Sequence, residues 1–98
     1  MRCHRAEVTA AVNGLEALNI FRQRSCDLIL TDQRMPLMRG TDLLMAVRET
    51  GSDVPVVFIT ADMIAEEQAL QAGASAVFLK PISIRQIRQI LETWMRPS

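Results

Sequence analysis

Leu28-Ile29-Leu30-Thr31-Asp32-Gln33-Arg34-Met35-Pro36 passes from unbroken apolar character into a carboxylate and then a proline. Its first four residues read as a strand buried on both faces, as in a sheet covered on each side. The stretch from Met35 to Gly40 reads as loop, with Pro36 and Gly40 as breakers. The same phrase recurs downstream. Val56-Val57-Phe58-Ile59 is a strand with Thr60 at its end, and residues 76–79 form a strand followed by Lys80-Pro81. Helix-length segments separate them. Residues 41–49 bury Leu43, Leu44 and Val47; Asp62 N-caps a helix reaching Ala72, which Gly73 ends. Ser83 and Gln86 form a capping box for a last helix that carries Ile84, Ile87, Ile90, Leu91 and Trp94 on one face. Upstream, residues 7–12 are β-prone, and Asn13 with Glu16 opens a helix to about Gln23. The order is β-α repeated, which implies a parallel sheet with right-handed crossovers and helices on both faces.

Composition sets the outer bounds. With 98 residues, 49% apolar and 22% charged, the chain is one small globular domain, and eleven basic residues balance eleven acidic ones. That balance argues against a general nucleic-acid or membrane-surface binder, which would carry a basic excess. No apolar run is long enough to span a bilayer, and no signal peptide is visible. Cys3 and Cys26 are too few for a disulfide framework, so a cytoplasmic setting is expected. Ten of the eleven basic residues are Arg, and the one Lys is Lys80.

Ligands of open α/β sheets bind beyond the carboxyl ends of the strands. Those ends here are Asp32, Thr60 and Lys80. Taken alone, Asp32 is a solvated strand-end cap, Thr60 a strand residue and Lys80 a snorkelling lysine. Together they suit phosphoryl transfer to a carboxylate. Asp32 would be the nucleophile, Lys80 would neutralise charge on the phosphoryl oxygens, and Thr60 would donate a hydrogen bond to one of them. Mg²⁺ is expected between the two anions, taking Asp32, a nearby backbone carbonyl, waters and at least one more carboxylate. No G-x-G-x-x-G or P-loop follows any strand, which counts against a nucleotide-binding enzyme.

These residues, with Ala11-Val12-Asn13-Gly14-Leu15-Glu16-Ala17-Leu18 and Pro55-Val56-Val57-Phe58-Ile59-Thr60-Ala61, give a sequence that resembles the receiver domain of two-component response regulators. The resemblance implies a flavodoxin-like, doubly wound parallel sheet, here incomplete, with four strands and four helices over residues 1–98. It implies that Asp32 accepts a phosphoryl group from a histidine kinase or a histidine phosphotransfer domain. Thr60 is then the switch hydroxyl, Lys80 the phosphate-binding lysine, and Lys80-Pro81 a cis bond. The Arg34 backbone carbonyl would join Asp32 as a metal ligand, and Arg34 and Asp62 would pair beside the site. Such a module is not an enzyme in the usual sense, and it touches neither nucleic acid nor membrane directly. The alternative is a phosphorylation-incompetent receiver that serves only as a protein–protein interaction module.

Two departures from the family pattern stand out. Receivers begin with a strand that ends in an acidic pair, and this chain has no such segment; Glu7 is the only acid before Asn13-Gly14. In the family's 2-1-3-4-5 sheet order the missing strand would leave a gap of roughly 10 Å. The first strand is then expected to pair with the next, to detach, or to be completed by another chain in a swapped or edge-paired homodimer. A misassigned start or an artificially truncated chain is the favoured origin. The second departure is Val77, followed by Phe78, where most receivers carry Tyr or Phe three residues before the lysine.

Overall fold

A computed structural model describes residues 28–94, together with Leu18, Asn19 and Arg22. The strand expected over residues 7–12 and most of the helix expected over residues 13–23 lie outside the described residues. Leu18, Asn19 and Arg22 are helical, as that reading requires. In chain order come β1 (Ile29–Thr31), α1 (Gly40–Glu49), β2 (Val56–Thr60), α2 (Met63–Gln71), β3 (Ala76–Leu79) and α3 (Ile84–Trp94).

The three strands form one parallel sheet in the order β1-β2-β3. Its centre is Val-Val-Phe-Ile-Thr, β-branched and aromatic throughout, and Val56, Val57, Phe58 and Thr60 are all fully buried. Alternation sorts these residues between two layers. Val56 and Phe58 join Leu18, Leu43, Leu44, Val47, Val54 and Ala69 in a single apolar cluster, with Ile29 and Val77 packed against it. So α1 and α2 cover one face. On the other face Ala76 and Phe78 of β3 and Ile90 and Trp94 of α3 line one open cavity. Each large side chain buried in the cluster contributes about 1.5–3 kcal/mol.

The helix ends follow the sequence signals. Asp62 accepts a hydrogen bond from the Ala65 N–H at 2.8 Å, and Gly73 closes α2 with φ +97°. Ser83 Oγ accepts from the Gln86 N–H at 3.1 Å, while Gln86 Oε1 accepts from the Ser83 N–H at 3.0 Å.

Three expectations need correction. Gly40 is the first residue of α1 and not the last of a loop. A Cβ there would sit 2.6 Å from the Phe58 ring and 2.2 Å from the Asp32 carbonyl oxygen, so helix and loop approach more closely than any other residue allows. Leu30 is 44% exposed, so described residues do not cover the face of β1 on which it lies. The apolar stripe of α3 is likewise only partly core: Ile90 is buried, but Ile84 is 78% exposed at the helix start.

Candidate functional site

Parallel strands deliver their carboxyl ends to one edge, and residues far apart in sequence meet there. Asp32 follows β1 and Lys80 follows β3. Lys80 Nζ donates to Asp32 Oδ2 at 2.8 Å, across 48 positions of sequence. The second carboxylate oxygen, Oδ1, accepts from the Gln33 N–H at 2.6 Å and from the Arg34 N–H at 3.4 Å. Partial burial pushes the Asp32 carboxyl upward and is the largest single influence. The Lys80 hydrogen bond, the two backbone N–H groups and the Lys80 charge together outweigh it, so Asp32 titrates below the usual aspartate range.

Thr60 ends β2 between these two strands. The Lys80 N–H donates to the Thr60 carbonyl at 2.7 Å, which ties the start of the Lys80 loop to the central strand. The Lys80–Pro81 peptide is cis. Thr60 is fully buried, and its Oγ1 is a buried side-chain polar atom with no hydrogen-bond partner among the described residues. Such an atom is costly unless something meets it, about 1–3 kcal/mol. An unmet hydroxyl at the end of the strand between those that carry the carboxylate and the ammonium suits an anionic ligand with oxygens to spare.

Arg34 and Asp62 meet as the sequence reading expects, with Arg34 Nη2 at 2.8 Å and Nε at 3.0 Å from Asp62 Oδ2. The Ala65 N–H, then the Arg34 hydrogen bond, hold the Asp62 carboxyl below its ordinary range. Both side chains are exposed, so the pair shapes the rim of the site and adds little to stability.

The roles of two residues, Gln33 and Gly40, were not read from the sequence. Gln33 is 2% exposed, and its amide bonds to Thr41 and Gln68. Nothing in an isolated Gln announces burial. Gly40 reads in the sequence only as a breaker, because its close approach is to Asp32 and Phe58, which only the fold brings to it.

Mg²⁺ takes hard oxygen ligands and keeps several waters. The Asp32 carboxylate and the Arg34 backbone carbonyl are oxygens of that kind, and no cluster of three or more acidic, His or Cys side chains occurs among the described residues. These two oxygens would leave most of the coordination shell to waters, a phosphoryl oxygen and the further carboxylate that the sequence reading calls for.

The family model for the response regulator receiver domain matches residues 2–92. The sensor protein GacS of Pseudomonas syringae pv. syringae is 38% identical over 96 residues, 91% of this chain and 11% of that protein. The sensor histidine kinase RcsC of Salmonella typhi is 34% identical over 86 residues, 86% of this chain and 9% of that protein. The chain thus spans about a tenth of the length of these two proteins. Among solved structures, the receiver domain of the sensor histidine kinase PA1611 of Pseudomonas aeruginosa PAO1, described with a magnesium ion coordinated in the active-site cleft, has a TM-score of 0.82 at 30% identity and covers 91% of this chain and 76% of that one. The fold, the strand-end chemistry and these likenesses agree: the chain belongs to the response regulator receiver domain family.

Proposed function

We propose that this chain is a phosphoacceptor module of a two-component phosphorelay, modified at Asp32. The observation that carries this reading is the Lys80 ammonium 2.8 Å from Asp32 Oδ2, with a buried Thr60 hydroxyl that has no partner among the described residues at the end of the strand between theirs. Nucleophile, cation and donor are then present on one sheet edge.

In the step itself an Asp32 carboxylate oxygen forms a bond to phosphorus, and the bond from phosphorus to the donor breaks. With a phosphohistidine donor the imidazole nitrogen keeps the electron pair and takes up a proton; with acetyl phosphate, acetate leaves. The depressed Asp32 pKa keeps the carboxylate ionised at neutral pH. Lys80 moves from the carboxylate to the phosphoryl oxygens as charge shifts onto them, and Thr60 donates its hydroxyl proton to one of those oxygens. Mg²⁺, held by the Asp32 carboxylate and the Arg34 carbonyl, would supply positive charge between the two anions. A histidine kinase or histidine phosphotransfer domain is the proposed donor, a reading supported by the sensor kinases among the relatives.

The test is direct. The protein is incubated with acetyl phosphate and millimolar Mg²⁺, and its intact mass is measured. One added phosphoryl group, absent from an Asp32→Asn variant, is expected. A folded protein that gains none would instead be a binding module alone.

A further inference from the structure

Gln33 is the most fully engaged residue around the site, and phosphoryl transfer as written above assigns it nothing. Its backbone N–H donates to Asp32 Oδ1 at 2.6 Å, and its backbone carbonyl accepts from the Gly40 N–H at 3.1 Å. Its side-chain Oε1 accepts from the Thr41 N–H at 2.8 Å. Its Nε2 donates to Thr41 Oγ1 at 3.2 Å and to Gln68 Oε1 at 3.0 Å. A backbone N–H only donates, so Thr41 fixes which way the amide faces, and the NH₂ group is left to point at Gln68. Gln33 thereby also meets one of the N–H groups that the first turn of α1 leaves open.

The arrangement is a clamp. On one side the Gln33 backbone grips the carboxylate; on the other its amide is held by two helices. Gln68 lies on an exposed part of α2, and none of its hydrogen bonds reaches Asp32, Thr60 or Lys80. Where the Gln33 N–H sits, and hence how Asp32 is aimed, is set from α1 and α2.

We infer that Gln33 is a positioning residue for the reaction at Asp32, and that Gln68, on a different helix, acts on that reaction through it. The inference rests on the phosphoacceptor reading of Asp32. It assigns to Gln68 an effect on rate that its surface location alone would not suggest. Small misplacements of a reacting group cost rate steeply, up to about 100-fold for 1 Å, so loss of one anchor among several is expected to slow the reaction about 3- to 10-fold.

The experiment compares the whole chain with Gln68→Leu, which removes the acceptor without opening a cavity, and with Gln68→Glu, which keeps an acceptor oxygen for Gln33 Nε2. Phosphorylation is followed across a range of acetyl phosphate concentrations. Gln68→Leu is expected to lower the maximal rate about 3- to 10-fold with the half-saturating donor concentration unchanged and the melting temperature lowered by only a few degrees, and Gln68→Glu to stay within about 2-fold of the parent. Equal maximal rates in all three proteins overturn the inference. If the parent itself takes no phosphoryl group, the phosphoacceptor reading fails separately, and amide hydrogen exchange then judges the clamp. Faster exchange at Gln33 and Thr41 in Gln68→Leu supports it, and unchanged exchange at both overturns it.

Discussion

Thr60 carries a hydroxyl for which the described fold offers no partner, and this makes it possible to separate stability from chemistry at a single atom. Thr60→Val is nearly isosteric and replaces the unmet polar group with a methyl. Denaturant unfolding should show stability unchanged or raised by up to about 1 kcal/mol, while phosphorylation slows. Lys80 behaves in the opposite sense. It is 49% exposed and Asp32 24% exposed, so solvent screens the pair, and Lys80→Met should cost only about 0.2–1 kcal/mol at neutral pH. The sign with pH follows from the depressed Asp32 pKa. The stabilisation is fully present above the ordinary unfolded value near about 4 and is lost as pH falls through the lower folded value. The parent and Lys80→Met should therefore differ in melting temperature at pH 7 and converge in acid. A difference that persists with Asp32 protonated would mean that the lysine stabilises by packing and not by charge.

Helices and strands differ in how plainly the sequence announced them. The capping residues Asp62, Ser83 and Gln86 and the stop at Gly73 were legible because each acts on its own neighbours. The start of α1 was not, because Gly40 answers to Asp32 and Phe58, which are neighbours only in the folded chain. The two glycines make a comparison. A Cβ at Gly40 meets the Asp32 carbonyl oxygen, whereas at Gly73 it meets open space and the cost comes from φ +97° alone. Gly40→Ala should destabilise by about 1–3 kcal/mol through overpacking. It should also slow phosphorylation, since the displaced group belongs to Asp32. Gly73→Ala should cost about 1–2 kcal/mol through backbone strain and leave the phosphorylation rate alone. Thermal unfolding with a rate assay on each variant separates the two effects.

Over the whole molecule, the parallel sheet and the meeting of Asp32 with Lys80 could be reached from sequence because one topological rule sends every strand end to the same edge. How completely each face is covered could not, since cover depends on where helices land. Leu30 shows the difference: its strand reads as buried on both sides, yet described residues cover only one. Leu30→Thr should therefore cost under about 1 kcal/mol, whereas Phe58→Ala, at the centre of the apolar cluster, should cost about 3–5 kcal/mol, a large share of a small domain's net stability. Urea midpoints of the two variants check this. The shared direction of the strands has a practical corollary at the far end. β2 is five residues long, about 16 Å, and the exposed turn that holds Gly51 and Asp53 precedes its amino end. A dye or a short peptide tag attached at Asp53 would stand a full strand length away from the carboxylate. It would give experimenters a handle for following the module in a mixture without touching the groups that do its chemistry.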